Sequence, residues 1–260
     1  IRERESIIHV DRRLIDRFQA ARRDPRLALL EGFHALKHAL RFGAPIELVV
    51  TRDPESLSQL CCTFASDIEE RVRGAALAVG PEVFAQLAPV PPESGVIAIA
   101  RRPVVSAARL LAGPRAAPLV LLERPSHLGN MGAAVRVAAA AGASGVVTVG
   151  QQEPWHPTAI RTAAGLHDAV AVARAQALPA RAEMCGPLVA IHPEGEPLWP
   201  GAIAPQAILA FGSERHGLSS ELLARAERRF AIPMQSGVSS LNLATAVAVV
   251  LYAWRWGMGR

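Results

Sequence analysis

Three polar segments, each directly after an apolar run, hold the residue types that do chemistry. The first, Glu123-Arg124-Pro125-Ser126-His127-Leu128-Gly129-Asn130-Met131-Gly132, continues through a helical stretch to Arg136. An amide and a guanidinium here could bind a polar or anionic ligand, and two glycines let backbone approach closely. A dinucleotide fingerprint is not met, because G-x-x-G lacks the G-x-G-x-x-G spacing. The second, Gly212-Ser213-Glu214-Arg215-His216-Gly217-Leu218-Ser219, offers a carboxylate able to orient a hydroxyl or a cation, and a serine suited to cap the next helix. The third runs Ile232-Pro233-Met234-Gln235-Ser236-Gly237-Val238-Ser239-Ser240-Leu241-Asn242. Asn242 reads as lying one turn into an apolar helix, where a buried polar side chain needs a partner or a ligand. Plainer roles exist for each residue: an N-cap for Asn130, a snorkelling helix arginine at Arg136, a solvated loop acid at Glu214 and a helix cap for Ser240.

Stepping outward, the elements that must position these segments read as apolar strands alternating with helices. The strands are Leu119 to Leu122, Val146 to Val149, Ala169 to Val172, Leu188 to Ile191, Ile208 to Phe211 and Phe230 to Ile232. Helices fall between them, at Met131 to Ala141, near Thr158 to Gly165, from Ser219, and from about Leu241 to Trp254. Continuous apolar strands between helices imply a largely parallel sheet covered on both faces, with ligands at the carboxyl ends of its strands. Upstream, Leu27, Leu30, Phe33, Leu36 and Leu40 recur at helical spacing from Asp24 and Gly43 stops that helix. A strand at Ile46 to Val50, a helix around Leu57 to Val72 and a strand at Gly95 to Ala100 complete a small α/β layer. The Arg-, Ala- and Pro-rich stretch after it sets the expected division: residues 1–103, a linker at 104–117, and residues 118–260.

Composition narrows the class. Of 260 residues, 50% are hydrophobic and 20% charged, so the chain folds around a core and is not disordered. No apolar run approaches the roughly 18 residues that a membrane span needs. A charged N-terminal stretch without an apolar core does not read as a signal peptide, which gives a cytoplasmic expectation. The balance of 28 basic against 23 acidic residues gives +5, and every basic residue except Lys37 is arginine. Arg4, Arg12, Arg13, Arg17, Arg22, Arg23 and Arg26 crowd the N-terminal segment, a candidate surface for phosphate, with Arg101 and Arg102 as a second. Cys61, Cys62 and Cys185 form no C-x-x-C pair and are expected as buried thiols. His34 and His38, four apart, lack the glutamate and third ligand of a zinc motif, so no metal is expected.

Taken in order, N-x-x-x-x-x-R, then F-G-S-E-x-x-G-L-S, then I-P-M with S-S-L-N-L-A resemble the SpoU or TrmH family of RNA 2′-O-ribose methyltransferases, over Leu119 to Trp254. Residues 1–103 resemble that family's N-terminal RNA-binding extension, with Leu30-Glu31-Gly32 as the best local match. The resemblance implies a SPOUT fold, an α/β domain with a mostly parallel sheet whose C-terminal part is threaded into a deep trefoil knot. It also implies S-adenosylmethionine as cofactor, held against Gly212, Ile232 and Leu241, and a homodimer whose site is completed across the interface. Asn130, Arg136, Glu214, Ser240 and Asn242 match the family's polar site positions, while Ala244 stands where many members have a second serine. The expected activity is methylation of a ribose 2′-hydroxyl, in rRNA more than in tRNA. The expectation from another class is a non-catalytic RNA-binding protein that kept the fold. The final helix, apolar at Val247, Val249, Val250, Leu251, Tyr252 and Trp254 around much of its circumference, is expected to meet a second chain.

Overall fold

The computed structural model describes residues 2–258, with side chains from residue 11 onward. The chain divides between Pro103 and Val104 into two units.

In the first unit α1 (Arg2–Ala21) precedes β1 (Leu27–Glu31), α2 (Phe33–Arg41), β2 (Ile46–Thr51), α3 (Pro54–Phe64), α4 (Glu69–Ala75), β3 (Ala76–Ala78), α5 (Pro81–Phe84) and β4 (Val96–Arg101). The strands form one sheet of order β1-β4-β2-β3, with β4 antiparallel to both neighbours. The single helix expected from Asp24 to Gly43 is instead a strand and a helix. Leu27-Ala28-Leu29-Leu30 is a continuous apolar run that buries along β4, and Gly32, at φ 108°, breaks the chain before α2. Leu14, Phe18, Leu29, Val50, Phe84, Ile97 and Ile99 pack as one core beneath α1. Of the clustered arginines, Arg12, Arg13 and Arg23 are exposed, Arg22 pairs with the buried Glu31 at 2.6 Å and Arg26 with Asp24 at 2.7 Å. The side chain of Arg4 lies outside the described residues.

In the second unit the elements are α6 (Ala107–Ala112), β5 (Leu119–Glu123), α7 (Leu128–Ala141), β6 (Gly145–Val149), α8 (Pro157–Thr162) and β7 (Val172–Ala175). Then come β8 (Leu188–Pro197), β9 (Ile208–Phe211), α9 (Ser220–Arg225), β10 (Arg228–Ala231) and α10 (Leu243–Gly257). All pairings in the six-stranded sheet β10-β8-β9-β5-β6-β7 are parallel. Every residue of β5, β6 and β9 is buried, as strands covered on both faces require. The stretch 104–117 is part of this unit rather than a spacer. Leu111 of α6 is fully buried against Leu119 and Leu121, and the Arg115 guanidinium donates to the carbonyls of Leu111 and Cys185.

On the other face α7 packs against α8 and α10. Val247, Val250, Leu251 and Trp254 are buried within the chain, so most of the apolar circumference of α10 is used in one subunit; Val249, Trp256 and Met258 remain exposed. Arg255 ties the two helices by donating to the Ala141 carbonyl at 2.9 Å. Cys62 and Cys185 are exposed, and only Cys61 is the buried thiol expected of all three. Among the described residues no helix is long and apolar enough to cross a membrane, and no cluster of three metal-ligating side chains occurs.

Candidate active site

The three polar segments lie at the carboxyl ends of β5, β9 and β10. Glu123 ends β5, and Arg124, at φ 48°, turns the chain while its N–H donates to the Val149 carbonyl. The N-cap of α7 is His127, without a side-chain capping bond, so Asn130 is in the helix's first turn and is not its cap. That leaves its amide free to face outward. Asn242 is the residue that caps. Its Oδ1 accepts from the N–H groups of Ala244 and Thr245 at the start of α10, and its side chain is exposed, not buried one turn into the helix as the sequence suggested.

These residues form one directed hydrogen-bond chain. The Glu214 carboxylate accepts from Ser126 N–H at 2.8 Å and from Asn130 Nδ2 at 2.7 Å. Asn130 Oδ1 in turn accepts from Asn242 Nδ2 at 2.9 Å. The orientation of both amides is forced: an ionised carboxylate only accepts, so Asn130 must present its NH₂ to Glu214, and Asn242 must present its own to Asn130. Burial works against the charge on Glu214, but the hydrogen bonds from Asn130 and Ser126 outweigh it and hold the carboxyl below its ordinary range. Residues 84 and 112 positions apart are thereby fixed to one another, and Glu214, though exposed, is held by two partners and is not a free loop acid.

Beside this chain lies a cleft of about 450 Å³, counted to its open mouth, lined by Ile191, His192, Pro193, Ile232, Met234, Ser239, Ser240, Leu241 and Ala246. Ser240 and Leu241 lead directly into Asn242, so cleft and polar chain share one loop. Of the three residues expected to hold a cofactor, Ile232 and Leu241 line the cleft and Gly212 does not. Gly212 instead meets the backbone of its own loop: a Cβ there would be 2.0 Å from the Gly217 carbonyl carbon. Arg136 stands apart. Six residues beyond Asn130 places it about 120° around α7, where it is exposed and makes no hydrogen bond or ion pair among the described residues.

Two groups escaped sequence reasoning. Ile191, His192 and Pro193 lie within β8, just past its buried start Leu188 to Ala190, and the change there from apolar to polar residues was the signal. Glu123, the one acid in an otherwise apolar strand, is 5% exposed and accepts from both the N–H and the hydroxyl of Ser219. A charge closing a buried strand was the signal.

The model of the SpoU rRNA Methylase family matches residues 117–252. An uncharacterized tRNA/rRNA methyltransferase of Synechocystis is 35% identical over 148 residues, which are 55% of this chain and 54% of that protein. The chain thus spans about half the length of that relative. A 23S rRNA (uridine(2479)-2′-O)-methyltransferase of Streptomyces viridochromogenes is 25% identical over 247 residues, covering 86% of this chain and 80% of that one. The crystal structure of an AdoMet-bound rRNA methyltransferase from Sinorhizobium meliloti superposes with a TM-score of 0.69 at 26% identity, covering 94% of this chain and 93% of that one. With more than half of its length matched by the family model, and the motif residues Asn130, Glu214 and Asn242 joined in one site, the chain belongs to the SpoU rRNA methylase family.

Proposed function

We propose that the protein methylates a ribose 2′-hydroxyl of RNA, rRNA in preference to tRNA, with S-adenosylmethionine as methyl donor. The observation that carries the reading is the polar chain Glu214–Asn130–Asn242 entering an apolar cleft through Ser240 and Leu241. The cleft suits the adenosine of that cofactor: Ile191, Ile232, Met234 and Leu241 supply apolar walls, and backbone groups of the Ser239 to Leu241 loop lie beside them. When bound, the cofactor supplies an electrophilic methyl group on a sulfonium. Ile232 and Leu241 hold it, with Gly212 keeping the neighbouring loop tight.

Ser240, Asn130 and Asn242 present hydrogen-bonding groups to the ribose, and Glu214 keeps the Asn130 amide in its one useful orientation. Arg136 positions the phosphate beside the target and stabilises negative charge developing on the attacking ribose oxygen, whose proton passes to solvent water. A guanidinium carries donors and no acceptor, so its positive charge is its contribution. Exposed and unpaired among the described residues, Arg136 fits a homodimer in which it serves the partner's site. The exposed Val249, Trp256 and Met258 supply apolar surface for that pairing.

The same reading makes the second unit a deep trefoil knot; the strand order β10-β8-β9-β5, in which the chain returns across β8 after β9, supports it. It makes the first unit an RNA-binding module whose exposed Arg12, Arg13 and Arg23 meet phosphate, and it places the work in the cytoplasm, with RNA. Isothermal titration of the protein with S-adenosylmethionine and, separately, with NAD tests the cofactor. Micromolar binding of the first alone is expected; binding of NAD and not of S-adenosylmethionine would overturn the reading.

A further inference from the structure

We infer that Glu123 is a positioning residue, whose buried carboxylate anchors the foot of the Gly212 to Ser219 loop so that Glu214 meets Asn130. Its effect on methyl transfer rests on the function proposed above; the anchoring itself does not. Both carboxylate oxygens are engaged, Oε2 by the Ser219 N–H at 2.7 Å and Oε1 by the Ser219 hydroxyl at 2.6 Å, with Arg124 Nη2 at 3.3 Å from Oε1. Ser219 Oγ also accepts from Leu222 N–H at 3.2 Å, so one serine joins the anchor to the cap of α9. A carboxylate this far from water is retained only where such partners exist.

The loop is stiff. Ser213 and Gly217 exchange backbone hydrogen bonds of 3.1 and 2.9 Å, His216 N–H donates to Ser213 Oγ at 3.1 Å, and Gly212 lies against the backbone of Gly217 and Leu218. A stiff loop moves as a body about its two feet. One foot is β9, and the other is Ser219 on Glu123. The clamp is reciprocal: Glu123 of the first segment holds Ser219 of the second, while Glu214 of the second holds Ser126 and Asn130 of the first. Without Glu123 the loop pivots and the Glu214 to Asn130 bond loses its register.

The test compares E123A, E123Q, S219A and E214A in the full chain. Glutamine keeps the bond from Ser219 N–H to its carbonyl and reverses the other, its amide donating to Ser219 Oγ, at the loss of the long contact from Arg124. E123A is expected to lower kcat for RNA methylation about 100-fold, the scale of a misplacement near 1 Å, with S-adenosylmethionine affinity little changed. E123Q should restore most of the rate, S219A should show the same pattern at smaller size, and E123A should cause no further loss in the E214A background. Loss of rate in E123Q equal to that in E123A, or additive losses with E214A, would overturn the inference. Hydrogen exchange at the Ser126 amide, the donor to Glu214, reads the anchoring without catalysis. It should quicken in E123A and S219A but not in E123Q. If the wild-type protein methylates no RNA, the proposed function fails, and the exchange measurement alone decides the anchoring: unchanged protection of Ser126 in E123A and S219A would refute it.

Discussion

Gly132 sits where α7 crosses α8, and an alanine there has a magnitude that can be worked from the coordinates. Its Cβ would be 2.1 Å from Thr162 Oγ1 and 2.2 Å from the Ala159 carbonyl oxygen, whereas ordinary contact begins at 3.4 Å. The threonine can rotate away; the carbonyl cannot, because it belongs to the backbone of α8, whose Ala159 and Ile160 are buried. Helix α8 must retreat by about 1.2 Å, the difference between those distances. Overpacking of this kind costs about 1–3 kcal/mol, and so close an approach to a backbone carbonyl takes the upper end, about 3 kcal/mol; replacing glycine within a helix returns about 1 kcal/mol, leaving a net loss near 2 kcal/mol. At about 2–4 °C per kcal/mol for a unit of this size, the melting temperature of G132A should fall by about 4–8 °C. Gly129, one turn earlier, is the control. Its Cβ would meet only Thr162 Cγ2 at 3.9 Å, so G129A should melt at or slightly above the wild type. Thermal unfolding followed by circular dichroism measures both, and T162A should rescue G132A only in part. A G132A protein as stable as wild type, or full rescue by T162A, would refute the close crossing as the reason for this glycine.

Three further outcomes follow from the structure. R136A should lose at least about 100-fold in methyl transfer, the scale of a removed transition-state donor, while S-adenosylmethionine titration stays unchanged; normal turnover would exclude the role given to Arg136. Replacing exposed Arg12, Arg13 and Arg23 with alanine should weaken RNA binding and flatten its dependence on salt by about 2 in the log–log slope, three contacts at about 0.7 each; an unchanged slope would remove α1 from the RNA path. Burial pushes the Asp168 carboxyl up from 3.8 to about 6. A carboxyl raised by folding favours the folded state below its unfolded pKa, and that advantage is lost as pH rises through the folded one. D168N should therefore raise the melting temperature at pH 8 and gain progressively less as pH falls toward about 4; an equal gain at all pH values would show that charge is not the cause.

Much of the second unit was legible because its signals are local and agree. Runs such as Leu119 to Leu122 and Ile208 to Phe211 are fully apolar, so they read as buried parallel strands, and the polar segments after them fall at strand ends. Where local signals compete, the sequence misleads. Leu27 to Leu30 satisfies a helical period and a strand equally, and only its pairing with β4 decides. Asn242 looked like a buried polar residue because Leu243 and Ala244 are apolar, yet the helix begins one residue later and the amide caps it. The linkage of Glu214 to Asn130 spans 84 positions and is set by tertiary register, which no spacing encodes. The apolar circumference of α10 suggested a second chain; Val247, Val250, Leu251 and Trp254 are buried within this chain, and Val249, Trp256 and Met258 are the apolar residues left exposed at that end.

The most direct test of the central claim is to incubate the protein with methyl-labelled S-adenosylmethionine and bulk rRNA or tRNA, digest the RNA to nucleosides and locate the label by mass spectrometry. Label in 2′-O-methylnucleosides, more from rRNA than from tRNA, is the predicted result. Label confined to base-methylated nucleosides, or no transfer to either RNA, would contradict it.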